Sequence, residues 1–202
     1  DHCLVGSEMC IRDRDYMDTD LVGISLSFKP GEAYYIPLQH QDDSVDQLDM
    51  DFVIEKLRPI LEGTKNKIIG QNIKFDKNVL AKYGIKISSI KNDTMMMSYV
   101  LDASATRHNL DALSSYYLNH KTSTFEEVAG KGVKQITFDQ VAIDVATDYA
   151  SEDADITLRL YEELNSRLEN QNSLKKINEE IEIPLIEVLS EMEQNGAILN
   201  SK

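Results

Sequence analysis

Tryptophan is absent from this chain, proline occurs only four times, and the two cysteines, Cys3 and Cys10, both lie in the opening DHCLVGSEMCIRDR. Two thiols without a matched second pair of ligands argue against a metal or redox site and leave incidental cysteines as the reading. Apolar runs long enough to cross a bilayer are missing, and so is a basic start followed by an apolar signal core. The expectation is a cytoplasmic protein with no membrane partner. Positive charge is also short, with 21 Lys and Arg against 35 Asp and Glu and a net charge of −14. This argues against a broad basic face that wraps duplex DNA, because phosphate neutralisation needs clustered Lys and Arg. Acidic clusters filled by divalent cations remain open as phosphate sites. What is present suffices for a core: 202 residues, 42% of them hydrophobic, fit one domain with an appendage.

From Asp15 the pattern becomes regular. LVGISLSF (21–28) and AYYIPL (33–38) are rich in β-branched and aromatic residues, with Pro30 and Gly31 between them for a tight turn, which reads as a β-hairpin. In MDFVIEKLRPILEG, Val53, Leu57, Ile60 and Leu61 share one helical face and Gly63 marks a stop, while Pro59 predicts a kink or a late start. NKIIG reads as a short buried strand, and NIKFDKNVLAKYG as a helix closed by Gly84. A long helical run follows from about Thr137 to Asn170, with a break near Thr147. The class is α/β.

YASEDADIT (149–157) gathers Glu152, Asp153 and Asp155 inside that long helix. Such a cluster ordinarily decorates a solvated face. Tyr149 and Asp153, four apart, project from one face and can reach a common point. A second site shifts the balance: GQNIKFDKNVL (70–80) sets Asn72 and Asp76 one turn apart just after a buried strand, with Asn72 as a possible N-cap.

At these residues the sequence resembles the proofreading 3′–5′ exonuclease domain of the family A DNA polymerases, within the DEDD group of RNase H-like exonucleases. GQNIKFDKNVL looks like that family's second exonuclease motif and YASEDADIT like its third. The resemblance extends through NDTMMMSYVLDASATRHNLDAL and KTSTFEEVAGKGVKQITF to NEEIEIPLIEVLSEMEQNGAIL, which is similar to the start of the polymerase domain. It implies a central mixed sheet flanked by helices, two divalent ions (Mg²⁺ or Mn²⁺), and hydrolysis of the 3′-terminal phosphodiester. It further implies Asp153 as a direct metal ligand, Asp76 as holder of the second ion, and Tyr149 as the residue orienting the attacking water. Asn72, His108 and Phe125 would line the single-strand groove. The implied partners are a single-stranded DNA 3′ end or primer terminus and the polymerase domain of the same parent chain, in a monomer.

One departure stands out. The family's first motif, a DxE on the opening strand, is absent, and the usual spacing back from LVGISLSF lands on Glu8 and Cys10. Cys10 is a poor substitute for a hard carboxylate. Asp18 and Asp20 of DTD abut the second strand and read as hairpin-loop residues. CLVGSEMCIRDR also resembles a translated sequencing-adapter read-through. The expected division is a foreign, disordered segment at 1–14, a nuclease domain at 15–170 whose first strand is missing or replaced, and the helical start of a polymerase domain at 171–202. The ions would then bind weakly and the nuclease would be impaired. Two other readings compete: an inactive exonuclease-like scaffold of a family A polymerase, and an RNase D-like exoribonuclease. A purely acidic interaction module leaves the ordered motifs unexplained.

Overall fold

The computed structural model describes residues 4–8, 20–42 and 45–196. The alternating segments on either side of Pro30 and Gly31 form the expected hairpin, β2 (Gly23–Lys29) and β3 (Glu32–Pro37), paired antiparallel from Gly23↔Pro37 to Lys29↔Glu32. Gly31 takes φ 81°, which the tight turn requires of glycine. Strand β4 (Lys67–Gly70) and strand β5 (Ile90–Asp93) run parallel to each other.

Strand β1 (Leu4–Glu8) lies between β2 and β4, antiparallel to the first and parallel to the second, so the sheet order is β3-β2-β1-β4-β5. The expectation of disorder at 1–14 is corrected for these five residues. An open middle position would leave two strands with unpaired amides and carbonyls, and an extended segment satisfies both. The remainder of 1–14, like Asp18, lies outside the described residues. Asp20 is exposed just before the bridge at Leu21.

Period-two alternation puts different side chains on the two faces of the sheet. Ile24, Leu26 and Ile68 join Val53, Ile54, Leu57 and Leu61 of helix α1 (Met50–Leu61) in one core. Ile54 is buried there, whereas Ile60, assigned to the stripe from sequence, only packs at its margin. Pro59 sits in the last turn and the helix starts at Met50, so the start is not late. Helix α2 (Ile73–Lys82) adds Val79 and Leu80 to the same core and ends before Gly84 at φ 72°.

Helix α6 (Ile143–Glu169) crosses β1, β2 and β3, and its Ile156, Leu160 and Leu164 pack with Ile69 and Met97 in a second core. It starts at Ile143 and continues through Thr147, whose hydroxyl bonds back to the Ile143 carbonyl at 2.6 Å, so the break expected there is absent. A short 3₁₀ turn, Phe138–Gln140, instead precedes α6, with Gln140 Oε1 accepting the Thr137 amide at 3.2 Å. Helices α3 (Thr94–Leu101), α4 (Leu110–Leu113, continuing as a π turn) and α5 (Phe125–Ala129) fill the connections.

Helices α7 (Asn172–Ile177) and α8 (Ile183–Asn195) return to the body. Ile186 enters the α1–α2 core, and Asn78 of α2 meets Ser190 at 2.5 Å, Gln194 at 3.0 Å and Glu193 at 2.9 Å. Lys77, also buried, pairs with Glu187 at 2.9 Å.

Candidate active site

Strand β4 ends at Gly70, where a Cβ would stand 2.9 Å from that of Ile73, so only glycine lets the chain turn so sharply into α2. Asn72 follows at φ 57° and makes no side-chain cap bond. The capping role possible from sequence therefore belongs elsewhere: the carboxylate of Asp93 accepts the Asn72 and Ile73 amides at 3.1 and 2.8 Å. Asn72 remains half-buried beside the site end of β4. One turn into α2, Asp76 is 6% exposed.

The acidic triplet of α6 divides into three tasks. Glu152 accepts from His120 Nε2 at 2.9 Å and from the Ser123 amide at 2.8 Å, tying the loop before α5 to the helix. Burial pushes its carboxyl up, but the His120 and Ser123 bonds outweigh it and hold the carboxyl below its usual value. Asp155 accepts the Gly31 amide and faces Arg159, so it anchors the hairpin turn. Asp153 is 4% exposed, and burial at that level is not the solvated face that such clusters ordinarily make. Ala146 and Ala150 pack with Val22 near the start of β2, and Asp155 meets the turn at its far end. Asp153 lies on the stretch of α6 between these two contacts with the β2 hairpin, and within β2 Ser25 is paired with Glu8 at the end of β1.

Tyr149, one turn before Asp153, lies half-buried in an aromatic cluster. Phe138, 1% exposed, has its ring centroid 5.9 Å from Tyr149, 6.4 Å from Phe125, 6.3 Å from Tyr35 and 5.5 Å from His40. Phe125 and Tyr149 meet edge to face at 6.4 Å. Tyr149 and Phe125 are therefore brought together, with Phe138 as their support. Phe125 opens α5, where Thr124 and Glu127 form a capping box. His108 is committed internally: Nδ1 meets Ser98 Oγ at 2.8 Å, Nε2 faces the Ala103 carbonyl at 3.3 Å, and the ring packs on Tyr99 at 5.0 Å. Lys131 pairs with Glu126 at 2.9 Å, and Lys134 lies on an exposed turn.

Asp76 and Asp153 are hard oxygen donors of the kind Mg²⁺ and Mn²⁺ prefer. Their number falls short, because among the described residues no three His, Cys, Asp or Glu stand together as a metal-holding group. Asp93, Phe138 and His120 were not singled out from the sequence. Of these, Asp93 carried a readable signal, an aspartate immediately before a helical run.

Comparison with known proteins bears on the chain as a whole. A family model described as 3′–5′ exonuclease matches residues 10–169. DNA polymerase I of Pseudomonas aeruginosa is 47% identical over 190 residues, covering 93% of this chain and 21% of that protein. DNA polymerase I of Borreliella burgdorferi is 37% identical, covering 93% of this chain and 20% of that protein. The chain thus spans about a fifth of the length of these curated relatives. Among solved structures, the POL domain of Pol1 from M. smegmatis, in complex with DNA primer-template and dNTP, superposes with a TM-score of 0.74 at 18% identity over 98% of this chain and 30% of that one. Brucella melitensis NrnC with bound Mg²⁺ gives 0.71 at 18% identity over 100% and 92%. At that identity the likeness establishes the fold, the mixed sheet and flanking helices of the RNase H-like exonucleases.

Proposed function

The chain belongs to the 3′–5′ exonuclease domain family found in DNA polymerase I, and from that premise we propose that it is the proofreading module of such a polymerase, hydrolysing the 3′-terminal phosphodiester of a single-stranded DNA end during replication and repair. The observation that carries this reading is the burial of Asp153 on the third-motif helix, one turn from Tyr149. Asn72, Phe125 and the loop of His108 receive the strand, with Phe125 offering a ring face to a base. Since both ring nitrogens of His108 have protein partners, we assign its contact to the backbone and outer edge of that loop. Tyr149 presents its phenol to orient water at the terminal phosphate, and the rings of Phe125 and the buried Phe138 beside it exclude bulk solvent there. Asp76 and Asp153 are the ligands left for divalent cations, whose charge would stabilise the leaving 3′ oxygen when bound. Without the first-motif carboxylates the ions bind weakly, and this chain is an impaired nuclease. We place it in the cytoplasm as a monomer whose remaining partner is the polymerase domain of its parent.

The test is digestion of a 5′-labelled single-stranded oligonucleotide in Mg²⁺ by the chain and by its Glu8→Asp/Cys10→Glu variant. The unaltered chain should release 5′-mononucleotides slowly, and the variant roughly 10–100-fold faster, the scale on which metal-site contacts alter affinity or activity. Rapid digestion by the unaltered chain would contradict the impairment. No digestion by the variant, with its fold intact, would contradict the assignment of the site.

A further inference from the structure

The turn that delivers Asn72 and Asp76 is held by two consecutive residues from the neighbouring strand end, Asp93 and Thr94. Asp93, 1% exposed, closes β5 and caps α3, its Oδ1 accepting the Met95 and Met96 amides at 2.8 and 3.4 Å. The same carboxylate reaches across to the β4–α2 turn, where Oδ1 also accepts the Asn72 amide at 3.1 Å and Oδ2 the Ile73 amide at 2.8 Å. One buried group thus caps two helices. Thr94, fully buried, donates its hydroxyl to Gln71 Oε1, and Gln71 Nε2 donates to the His108 carbonyl at 2.8 Å.

Two features make this more than ordinary capping. Asn72 sits at φ 57°, in the left-handed region, which asparagine adopts more readily than other residues with a side chain but still at a cost. The bonds to its own amide and to that of Ile73 are what fix it. The contacts of Asp93 and Thr94 also end on both segments that carry groove residues, the start of α2 and the loop of His108. A shift of the α2 start is transmitted to Asp76 one turn later, because a helix moves as a rigid rod over that distance.

We propose that Asp93 and Thr94 are the positioning pair of this site, setting where Asn72, Asp76 and the His108 loop stand relative to one another; this rests on the exonuclease reading above. Neither residue touches the reacting atoms. Their contribution is to geometry, which such chemistry requires to within a fraction of an ångström.

Three variants of the full chain test the proposal. Asp93→Ser keeps an oxygen within reach of the α3 amides and removes the bonds to Asn72 and Ile73. Thr94→Val removes the hydroxyl at nearly constant shape. Asp49→Ala is the control, stripping an N-cap from α1, where Asp49 accepts the Phe52 amide at 2.9 Å. Hydrogen exchange reads the amides, thermal melting reads stability, and fluorescence anisotropy reads binding of a 5′-fluorescein oligothymidylate with a free 3′ hydroxyl in Mg²⁺. In Asp93→Ser the Asn72 and Ile73 amides should exchange about tenfold faster while Met95 and Met96 stay protected, and oligonucleotide affinity should fall about tenfold. Thr94→Val should weaken binding in the same direction with exposure of the His108 loop. Asp49→Ala should lower the melting temperature and leave affinity unchanged. Unchanged affinity in both site variants, or an equal loss in the control, overturns the positioning role. If the unaltered chain does not bind the oligonucleotide, the exonuclease reading fails, and exchange alone decides: undiminished protection at Asn72 and Ile73 in Asp93→Ser overturns the pair.

Discussion

The tautomer of His40 can be assigned from its two partners. Its Nδ1 lies 3.1 Å from the Val141 carbonyl, which can only accept, so Nδ1 carries the proton and Nε2 accepts from the Tyr35 hydroxyl at 2.7 Å. Burial lowers the pKa of this imidazole, against the Val141 bond and the charges of Asp139 and Asp42, which raise it. With the folded value below the unfolded value of about 6.5, the unfolded chain takes up the proton first. The His40 contribution to stability is therefore present at neutral pH and is lost as pH falls below about 6.5. Urea denaturation at pH 7.5 and pH 5.5 should show a loss on acidification that His40→Gln reduces, and an unchanged pH difference in that variant would refute the assignment. The tether matters locally because Tyr35 and His40 both pack on Phe138, the ring beneath Tyr149.

At the scale of elements, the junction of β4 with α2 is a close approach that a side chain would break. Gly70→Ala would force a Cβ to within 2.9 Å of that of Ile73, which is itself fully buried. The expected cost is about 1–3 kcal/mol in chemical denaturation, the range for overpacking a filled core, with weaker oligonucleotide binding. Thr124→Ala should cost about 1 kcal/mol by removing the α5 capping box and should loosen Phe125 from Tyr149, seen as increased solvent exposure of the tyrosine. The hairpin, α1, β4 and α2 were legible because their apolar spacing and punctuation agree. The start of α6 was not: the spacing of Thr137 and Gln140 resembles a helix start, and Gln140 Oε1 does accept the Thr137 amide at 3.2 Å, yet the segment closes only a 3₁₀ turn. Asp76, Tyr149 and Asp153 could be placed on their helices from sequence. The double cap by Asp93 could not, since one of its helices begins some twenty residues away in the chain, at Ile73, and spacing along a chain carries no trace of such a contact. His108 was legible as a groove residue only through resemblance, and its occupied ring nitrogens belong to tertiary structure.

Across the whole molecule, the α2–α8 contact joins the site-bearing helix to the chain's last described helix through buried polar groups. Asn78→Ala would take the acceptor from Ser190 and Gln194, leaving the buried Ser190 hydroxyl without it, at a cost of about 1–3 kcal/mol. Because Ile186 shares the core with α1 and α2, unfolding should remain a single transition, with far-UV circular dichroism and tyrosine fluorescence coinciding. Two separate transitions would mark α8 as an independent unit. No tryptophan is present to obscure the tyrosine signal. The middle of the sheet carries a different implication. β1 meets β2 through pairs such as Gly6↔Ser27 and β4 through pairs such as Gly6↔Ile69, and these ladders are made of main-chain groups that every residue except proline possesses. The place between β2 and β4 is in effect a socket, which selects its insert by extension and direction and is largely indifferent to the cargo of side chains. Architecture and side-chain chemistry are then separable inheritances: exchanging one short insert changes which side chains the middle of the sheet presents while the rest of the framework stands.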